Sequence, residues 1–273
     1  MPLNNTDEQA KRSALKDHAR KIAFESVVFS ALRPKFNAII RDFRKAWIET
    51  ENFPDITQHN NDIAAILAQH YDRVGKSFSD NIEQQLGAPT NRSQVRNDTE
   101  TRIKIYNNLE SIQNAQYIAN TNIKQMHDSR DEVIIAAALA GLFLTQKQVA
   151  NQATAKLARK YAPRVHLIAL DNTQNAAEGG KQSEYESLVE NGAVAGGVDF
   201  GAAGAADKAL KTWVAILDGK TRPAHVAADG QTVPYNQPYT VGGEKLRFPR
   251  DTSLGASLGN VANCRCSSVP VVK

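Results

Sequence analysis

The chain of 273 residues has little of several features that mark whole classes of protein. It has only two cysteines, Cys264 and Cys266, and this argues against a secreted domain held together by disulfides. Its first residues are polar and charged, so the sequence predicts no signal peptide. Both features are typical of a protein that folds in a reducing cytoplasm.

Long apolar runs are also missing. The longest, Val133 to Leu144, falls short of the roughly 20 residues that a membrane-spanning helix needs. We therefore expect a buried helix there and no membrane partner. The alternative is a membrane-active segment that becomes exposed only after a conformational change.

The usual signatures of catalysis are absent as well. The sequence has no G-x-x-x-x-G-K-[ST] phosphate loop, no clustered acids for Mg²⁺, and no nucleophile with a base at a known spacing. The best enzymatic alternative is a metal-dependent nuclease built from His225, Asp229 and Asn263, but a second cysteine pair is missing. We therefore expect a protein that is not an enzyme.

Positive charge is concentrated in one segment. The net charge is only +4, yet residues 11–45 contain ten Lys or Arg and three acids, a surplus of seven. This segment is either a solvated helix face or a surface that contacts packaged DNA or an acidic protein.

The first part of the chain has helical periodicity. Apolar residues recur at helical spacing over 7–49, where Pro34 should kink or divide the helix. A second helix should end at about Leu86, and a third should begin near Ser93. Since Asp131 and Glu132 suit a first helical turn, we expect a fourth helix from there to Tyr161, stopped by Pro163.

Composition then divides the chain. Residues 189–210 are rich in Gly and Ala and are interpreted as a linker or a loosely ordered loop, and residues 211–273 are rich in turns. Short strands are predicted at 213–217, 245–248 and 267–272. The prediction is an α+β protein. It has an extended helical domain (1–161), a connecting segment (162–210), and a small, turn-rich C-terminal α+β domain (211–273).

The C-terminal domain contains the candidate site. His225, Cys264 and Cys266 would converge if the last strand pairs with the first. An imidazole and two thiolates supply three of the four ligands of a tetrahedral zinc site. Asp218 is the candidate for the fourth ligand. Such a site could hold one structural zinc in a domain with a small core.

The spacing leaves alternatives open. Cys-x-Cys is shorter than the usual Cys-x₂₋₄-Cys pair of zinc sites. Cys264 and Cys266 would otherwise be buried thiols on one face of a strand, with His225 as a hydrogen-bonded core residue. A reactive or disulfide-forming pair is the third interpretation.

The C-terminal motif resembles a known family. The pattern W-x₄-D-G-x-T-R-P-x-H-x₃-D-G-Q, then F-P-x-D and N-C-R-C, is similar to the Mu F-like (SPP1-type) minor head proteins of tailed phages, also called head morphogenesis proteins. A looser similarity begins at Arg164, but Gln174 stands where the family has Glu, so the role of that acid is not carried over. The matching residues are Trp213, Asp218, Thr221, Arg222, Pro223, His225, Asp229, Gly230, Gln231, Pro249, Asp251, Asn263, Cys264, Arg265 and Cys266.

The resemblance implies a structural role. It implies a minor protein of the virion, bound to the portal oligomer or to the capsid interior, that acts in head morphogenesis and in DNA packaging or ejection. Its expected location is the head interior or portal vertex, and the host cytoplasm during assembly. The alternative function is that of a DNA-binding internal protein that is ejected with the genome.

Overall fold

Four long helices dominate the computed structural model, which describes residues 5–202 and 204–272. A small region of sheet follows them, so the predicted α+β class, a long helical region with a small C-terminal domain, is confirmed. The helices are α1 (Asn5–Thr50), α2 (Thr57–Leu86), α3 (Arg92–Leu139) and α4 (Gln146–Glu190).

The third and fourth helices differ from the prediction. Asp131 and Glu132 lie inside α3 and do not begin a new helix. α4 begins instead at a capping box, in which the Thr145 backbone N–H donates to Gln148 Oε1 (2.8 Å) and the Gln148 N–H donates to Thr145 Oγ1 (3.3 Å). The sequence Thr-x-x-Gln was the local signal for this start.

Both prolines lie within continuous helices. Pro34 does not divide α1, and the prediction that Pro163 ends a helix is wrong. A proline inside a helix costs about 3 kcal/mol. Tyr161, Val165 and Ala169 are buried on either side of Pro163, and burial of each large apolar side chain gives about 1.5–3 kcal/mol. Packing therefore outweighs the local cost.

The chain forms two compact units, and neither has a boundary at residue 161 or 210. One unit comprises 25–69 and 108–169, and the other comprises 1–24, 70–107 and 170–273. We call them the distal unit and the sheet unit.

The core of the distal unit is apolar and rich in aromatic side chains. Phe36 packs edge-on against Tyr161, with ring centroids 5.0 Å apart. Phe43 stacks on Phe53 at 5.7 Å. Further buried members are Val28, Leu32, Ile39, Trp47, Ile56, Ile63, Leu67, Ile118, Met126, Val133, Val149, Leu157 and Val165.

The longest apolar run lies in this unit, and most of it is exposed. Val133 and Ala137 are buried, so only one face of α3 enters the core. The helix ends at Leu139, and Gly141 follows with a positive φ of 67°. The prediction of a buried helix is therefore wrong for most of the run. We call its exposed side chains the helical tip: Ile134, Ile135, Leu139, Leu142 and Phe143.

The sheet unit contains the predicted C-terminal strands. A three-stranded antiparallel sheet has the order β4 (Thr232–Pro234), β3 (Ala209–Val214), β7 (Ser267–Val272). β5 (Tyr239–Val241) pairs with β6 (Glu244–Leu246). The strand predicted at 267–272 is confirmed, and the first strand begins and ends earlier than predicted.

Two short helices complete this part of the unit. They are α6 (Pro223–Ala228) and α7 (Leu258–Val261), and α5 (Ala205–Lys208) precedes β3. The core around β3 and β5 contains Trp213, Tyr239, Val241, Leu246, Val261, Cys264 and Cys266.

The Gly/Ala-rich segment is packed, which corrects the prediction of a linker or a loosely ordered loop. α4 continues to Glu190, and β1 (Val194–Ala195) then pairs with β2 (Val198–Asp199) across Gly196 and Gly197. Both glycines have positive φ, as a two-residue hairpin turn requires. The segment is held by burial of Ala193, Ala195, Val198, Phe200, Ala205 and Ala209 against Ile82, Leu86, Val95, Tyr185 and Tyr235.

Within the described parts of the chain, no helix is long and apolar enough to cross a membrane.

Candidate metal centre

Pairing of the first and last strands of the C-terminal sheet brings the candidate ligands together. β3 and β7 are antiparallel, with Trp213 opposite Ser268 and Val214 opposite Ser267. Cys266, directly before β7, therefore lies beside the end of β3. α6 starts at Pro223, a favoured first residue of a helix, and supplies His225.

His225, Cys264 and Cys266 form one buried group, which we call the His–Cys group. At most 3% of each residue is exposed. His225 Nδ1 lies 3.4 Å from Cys266 Sγ and 3.5 Å from Cys264 Sγ, and neither cysteine is in a disulfide. The candidate ligand atoms all lie within 4.8 Å of one another, so the group could hold a metal ion.

Asn260 fixes the tautomer of His225. The imidazole Nε2 is 2.9 Å from both the backbone oxygen and Oδ1 of Asn260. The Asn260 amide nitrogen donates to the Val241 carbonyl (2.8 Å) and to Glu244 Oε2 (2.9 Å), which identifies Oδ1 as the atom that faces the ring. Both contacts of Nε2 are acceptors, so Nε2 carries the hydrogen and Nδ1 faces the two sulfur atoms.

The group favours a thiolate in the absence of metal. A hydrogen bond from Cys266 and the nearby His225 hold the pKa of Cys264 well below its ordinary value. The hydrogen bond between Cys266 and Cys264, together with burial, raises the pKa of Cys266. Burial lowers the pKa of His225, but the hydrogen bond and charge of Cys264 outweigh it and leave that pKa raised. A metal ion would displace these protons, so its binding would depend on pH.

Asp218, the predicted fourth ligand, is not part of the His–Cys group. Its Oδ1 accepts hydrogen bonds from Arg265 (2.7 Å), the Lys220 backbone N–H (3.0 Å) and Thr221 Oγ1 (3.2 Å). These contacts, led by the one from Arg265, lower the pKa of Asp218. The local turn at Asp218-Gly219 directs the carboxylate to Arg265, and the pair joins this turn to the segment between the two cysteines.

Of the residues of the nuclease alternative, His225 belongs to the His–Cys group and Asn263 lines a small cavity beside it, but Asp229 makes other contacts. Asp229 Oδ1 accepts from the Ala215 backbone N–H at 2.9 Å, and its Oδ2 lies 3.8 Å from Lys11 Nζ. Neither Asp229 nor any other acid belongs to the group among the residues that the structure describes.

A second buried polar cluster lies beside the His–Cys group, and sequence reasoning missed it. Lys21 Nζ is 2.7 Å from Glu178 Oε1, and Lys181 Nζ is 2.6 Å from Asp17 Oδ2 and 3.0 Å from Glu178 Oε1. These four side chains, the ionic network, are at most 2% exposed. Asp17 and Lys21 continue the 3–4 spacing of the buried Ala10 and Ala14, and this was the available signal.

The ionic network also holds the start of β7. Lys21 Nζ donates to Ser267 Oγ, and Lys181 Nζ donates to the Ser268 carbonyl, each at 3.0 Å. The Ser268 N–H donates to Glu178 Oε2 at 3.0 Å. These bonds fix the backbone directly after Cys266.

Comparisons with protein-family models, with curated proteins and with solved structures find no match to this chain.

Proposed function

We propose that the protein is a minor structural component of a tailed-phage head, bound at the portal or capsid interior. It acts in head assembly and in DNA packaging or ejection, and its role is mechanical rather than catalytic. One structural zinc in the His–Cys group stabilises its C-terminal domain. The resemblance of the C-terminal motif to the Mu F-like minor head proteins is the starting point.

The observation that supports this proposal is that residues of the motif contact one another in the fold. The Trp213 and His225 rings pack edge-on with centroids 5.7 Å apart, and His225 in turn reaches both cysteines. Asp218 pairs with Arg265, and Arg222 donates to the Ala262 carbonyl next to Asn263. A motif whose members support one small structure is what a shared domain requires, whereas a chance match would scatter them.

The ligand chemistry supports zinc. Zinc prefers cysteine sulfur and histidine nitrogen, and a ligating histidine commonly donates its other N–H to a carbonyl. Nδ1 faces the two sulfur atoms, and Nε2–H donates to Asn260. The contacts around the ring therefore support a role for His225 as a metal ligand.

The helical tip of the distal unit supports a docked, mechanical role. Leu139 is 85% exposed and Phe143 is fully exposed, beside exposed Ile134, Ile135 and Leu142. Contiguous exposed apolar side chains in folded proteins commonly mark interaction surfaces. We assign the tip to contact with the oligomeric portal.

The test is the composition of particles made by a strain that carries the gene. Peptides of this chain should co-sediment with DNA-filled heads, and deletion of the gene should reduce the yield of filled heads. Leu139→Ser with Phe143→Ser should remove the protein from the heads without unfolding it, and Leu15→Ser, at an exposed position in the sheet unit, is the matched control. Complete, infectious particles that lack the protein would contradict the proposal.

A second candidate function, DNA binding, rests on part of the basic segment. Arg33, Asn37 and Arg41 follow one another at four-residue spacing along α1 and line the same surface groove. Phosphate oxygens suit such a row of donors. This function is compatible with the first, because a head protein lies beside packaged DNA.

A further inference from the structure

We propose that the fourth ligand of the metal is a solvent molecule, held in a small basic cavity and exchangeable for a small anion. This inference rests on the proposed zinc and goes beyond it, because a structural zinc ordinarily has four protein ligands.

The cavity lies against all three candidate ligands. Its volume is about 20 Å³, and its walls include His225, Cys264 and Cys266. A water molecule needs roughly 10–15 Å³ of such space. The cavity therefore has room for one solvent oxygen beside the group and excludes a phosphodiester or other large substrate.

The protein offers no fourth ligand at this position. His225, Cys264 and Cys266 are the only His, Cys, Asp or Glu side chains in the group over 5–202 and 204–272. Asp218 is not a member of the group, and its Oδ1 already accepts hydrogen bonds from Arg265, Lys220 and Thr221.

The charges around the cavity favour an anionic occupant. A zinc ion with two thiolates and a neutral imidazole has no net charge, so a hydroxide or another anion would leave the centre at −1. Three cationic residues line the cavity: Lys220, Arg222 and Arg265. Asp218 compensates Arg265, so Lys220 and Arg222 supply the remaining positive charge. Oppositely charged groups stabilise each other most where water is excluded.

Cobalt(II) in place of zinc tests the inference. The full chain is reduced, freed of metal and loaded with Co²⁺, and its visible spectrum is recorded while azide is added. We expect a thiolate-to-cobalt charge-transfer band that persists, because both cysteines stay bound. The ligand-field bands should shift and saturate as azide replaces the solvent ligand.

Variants of the cavity wall separate the outcomes. Lys220→Gln should weaken azide binding several-fold with unchanged cobalt uptake, and Lys245→Gln, at a lysine outside the cavity, should have no effect. Asp218→Asn should keep the ligand-field spectrum.

A spectrum that azide does not change but Asp218→Asn does change would overturn the inference, because Asp218 would then be the fourth ligand. A spectrum that is changed neither by azide nor by Asp218→Asn would mean that the site has no exchangeable solvent ligand. This result would overturn the inference as well. A chain that takes up no cobalt, with both thiols titrating as free, would remove the zinc itself while leaving the head-protein proposal to its own test.

Discussion

His225 and Asn260 are joined at one ring nitrogen: Nε2 lies 2.9 Å from both the backbone oxygen and Oδ1 of Asn260. Since the Asn260 amide group also donates to Val241 and Glu244, one residue of α7 orients the imidazole and connects it to the β5–β6 hairpin. The position of Nδ1 against the sulfur atoms therefore depends on a residue that touches no metal.

Replacement of this partner should weaken metal binding without removing a ligand. Asn260→Ala leaves the backbone oxygen in place but deletes Oδ1 and the two amide donors. Loss of such an outer partner typically lowers metal affinity about 10–100-fold. The measurement is zinc competition against a chromophoric chelator. Glu244→Gln, which keeps an acceptor for the Asn260 amide, is the control, and an equal loss in both variants would contradict the role given to Oδ1.

Loss of a ligand should have a larger effect, confined to the sheet unit. We expect His225→Ala and Cys264→Ser to abolish zinc binding and with it the stabilisation that zinc gives, about 2.7 kcal/mol at 100 times the dissociation constant. The chain has two tryptophans, Trp47 in the distal unit and Trp213 in the sheet unit, so Trp47→Phe makes fluorescence report on the sheet unit alone. Asp218→Asn is the comparison variant and should keep its metal. Urea unfolding with and without chelator measures the difference, and a chelator effect in Cys264→Ser would argue against the site.

Local patterns predicted a long helical region, the last strand and the convergence of His225, Cys264 and Cys266, whereas the course of the third and fourth helices and the place of Asp218 depend on tertiary contacts. The 3–4 periodicity around Tyr161 and Val165 continues through Pro163, and only the core that buries them shows that the helix survives the proline. Ala193 and Val198 lie in a glycine-rich segment whose composition gives no sign of its burial. Asn260 is an ordinary polar residue in sequence, and its role follows from the position of α7 beside His225.

Removal of one charged side chain from the ionic network should strongly lower the stability of the protein. Lys181→Met leaves Asp17 and Glu178 buried with one cation fewer, and loss of one partner of a buried pair typically costs about 3–5 kcal/mol. Lys181→Met with Asp17→Leu removes one charge of each sign, and we expect part of the loss to be recovered. Urea unfolding of the two variants and the wild type measures this, and a double variant no more stable than Lys181→Met would contradict the coupling.

The same network gives a defined pH window. Burial raises the pKa of Glu178, but Lys181 and Lys21 outweigh it and leave that pKa lowered, so its contribution is present above the unfolded value of 4.5 and lost as the pH falls through the folded value. Burial lowers the pKa of Lys181, but Asp17 and Glu178 leave it raised, so its contribution is present below 10.5 and lost as the pH rises through the folded value. The difference between wild type and Lys181→Met should therefore be flat from about pH 5 to 10.

Glu184 should show the opposite behaviour. Burial raises its pKa to about 7, against an ordinary 4.5. Ionisation of Glu184 therefore lowers the stability of the folded state as the pH rises between these values. Glu184→Gln should then match the wild type in stability at pH 4 and exceed it at pH 8 by on the order of 3 kcal/mol or less. Gln keeps an acceptor for Thr99 Oγ1, which donates to Glu184 Oε2 at 2.8 Å. Thermal unfolding at the two pH values measures this, and Glu190→Gln, at an exposed site on the same helix, should show no pH-dependent gain.

DNA binding by α1 should depend steeply on salt and on two arginines of the distal unit. Each phosphate contact on duplex DNA contributes a slope of about −0.9 in the logarithm of affinity against the logarithm of salt concentration. Arg33→Ala with Arg41→Ala should therefore make the slope shallower by up to about 1.8 units, equally for unrelated DNA sequences. Fluorescence anisotropy over a range of salt concentrations measures it. Arg159→Ala is a control on the distal unit, because this exposed arginine lies outside the basic segment. A slope that is the same in the double variant and the wild type would mean that this row of side chains does not contact phosphate, and the positive charge of 11–45 would then serve as a solvated face or as a surface for an acidic protein.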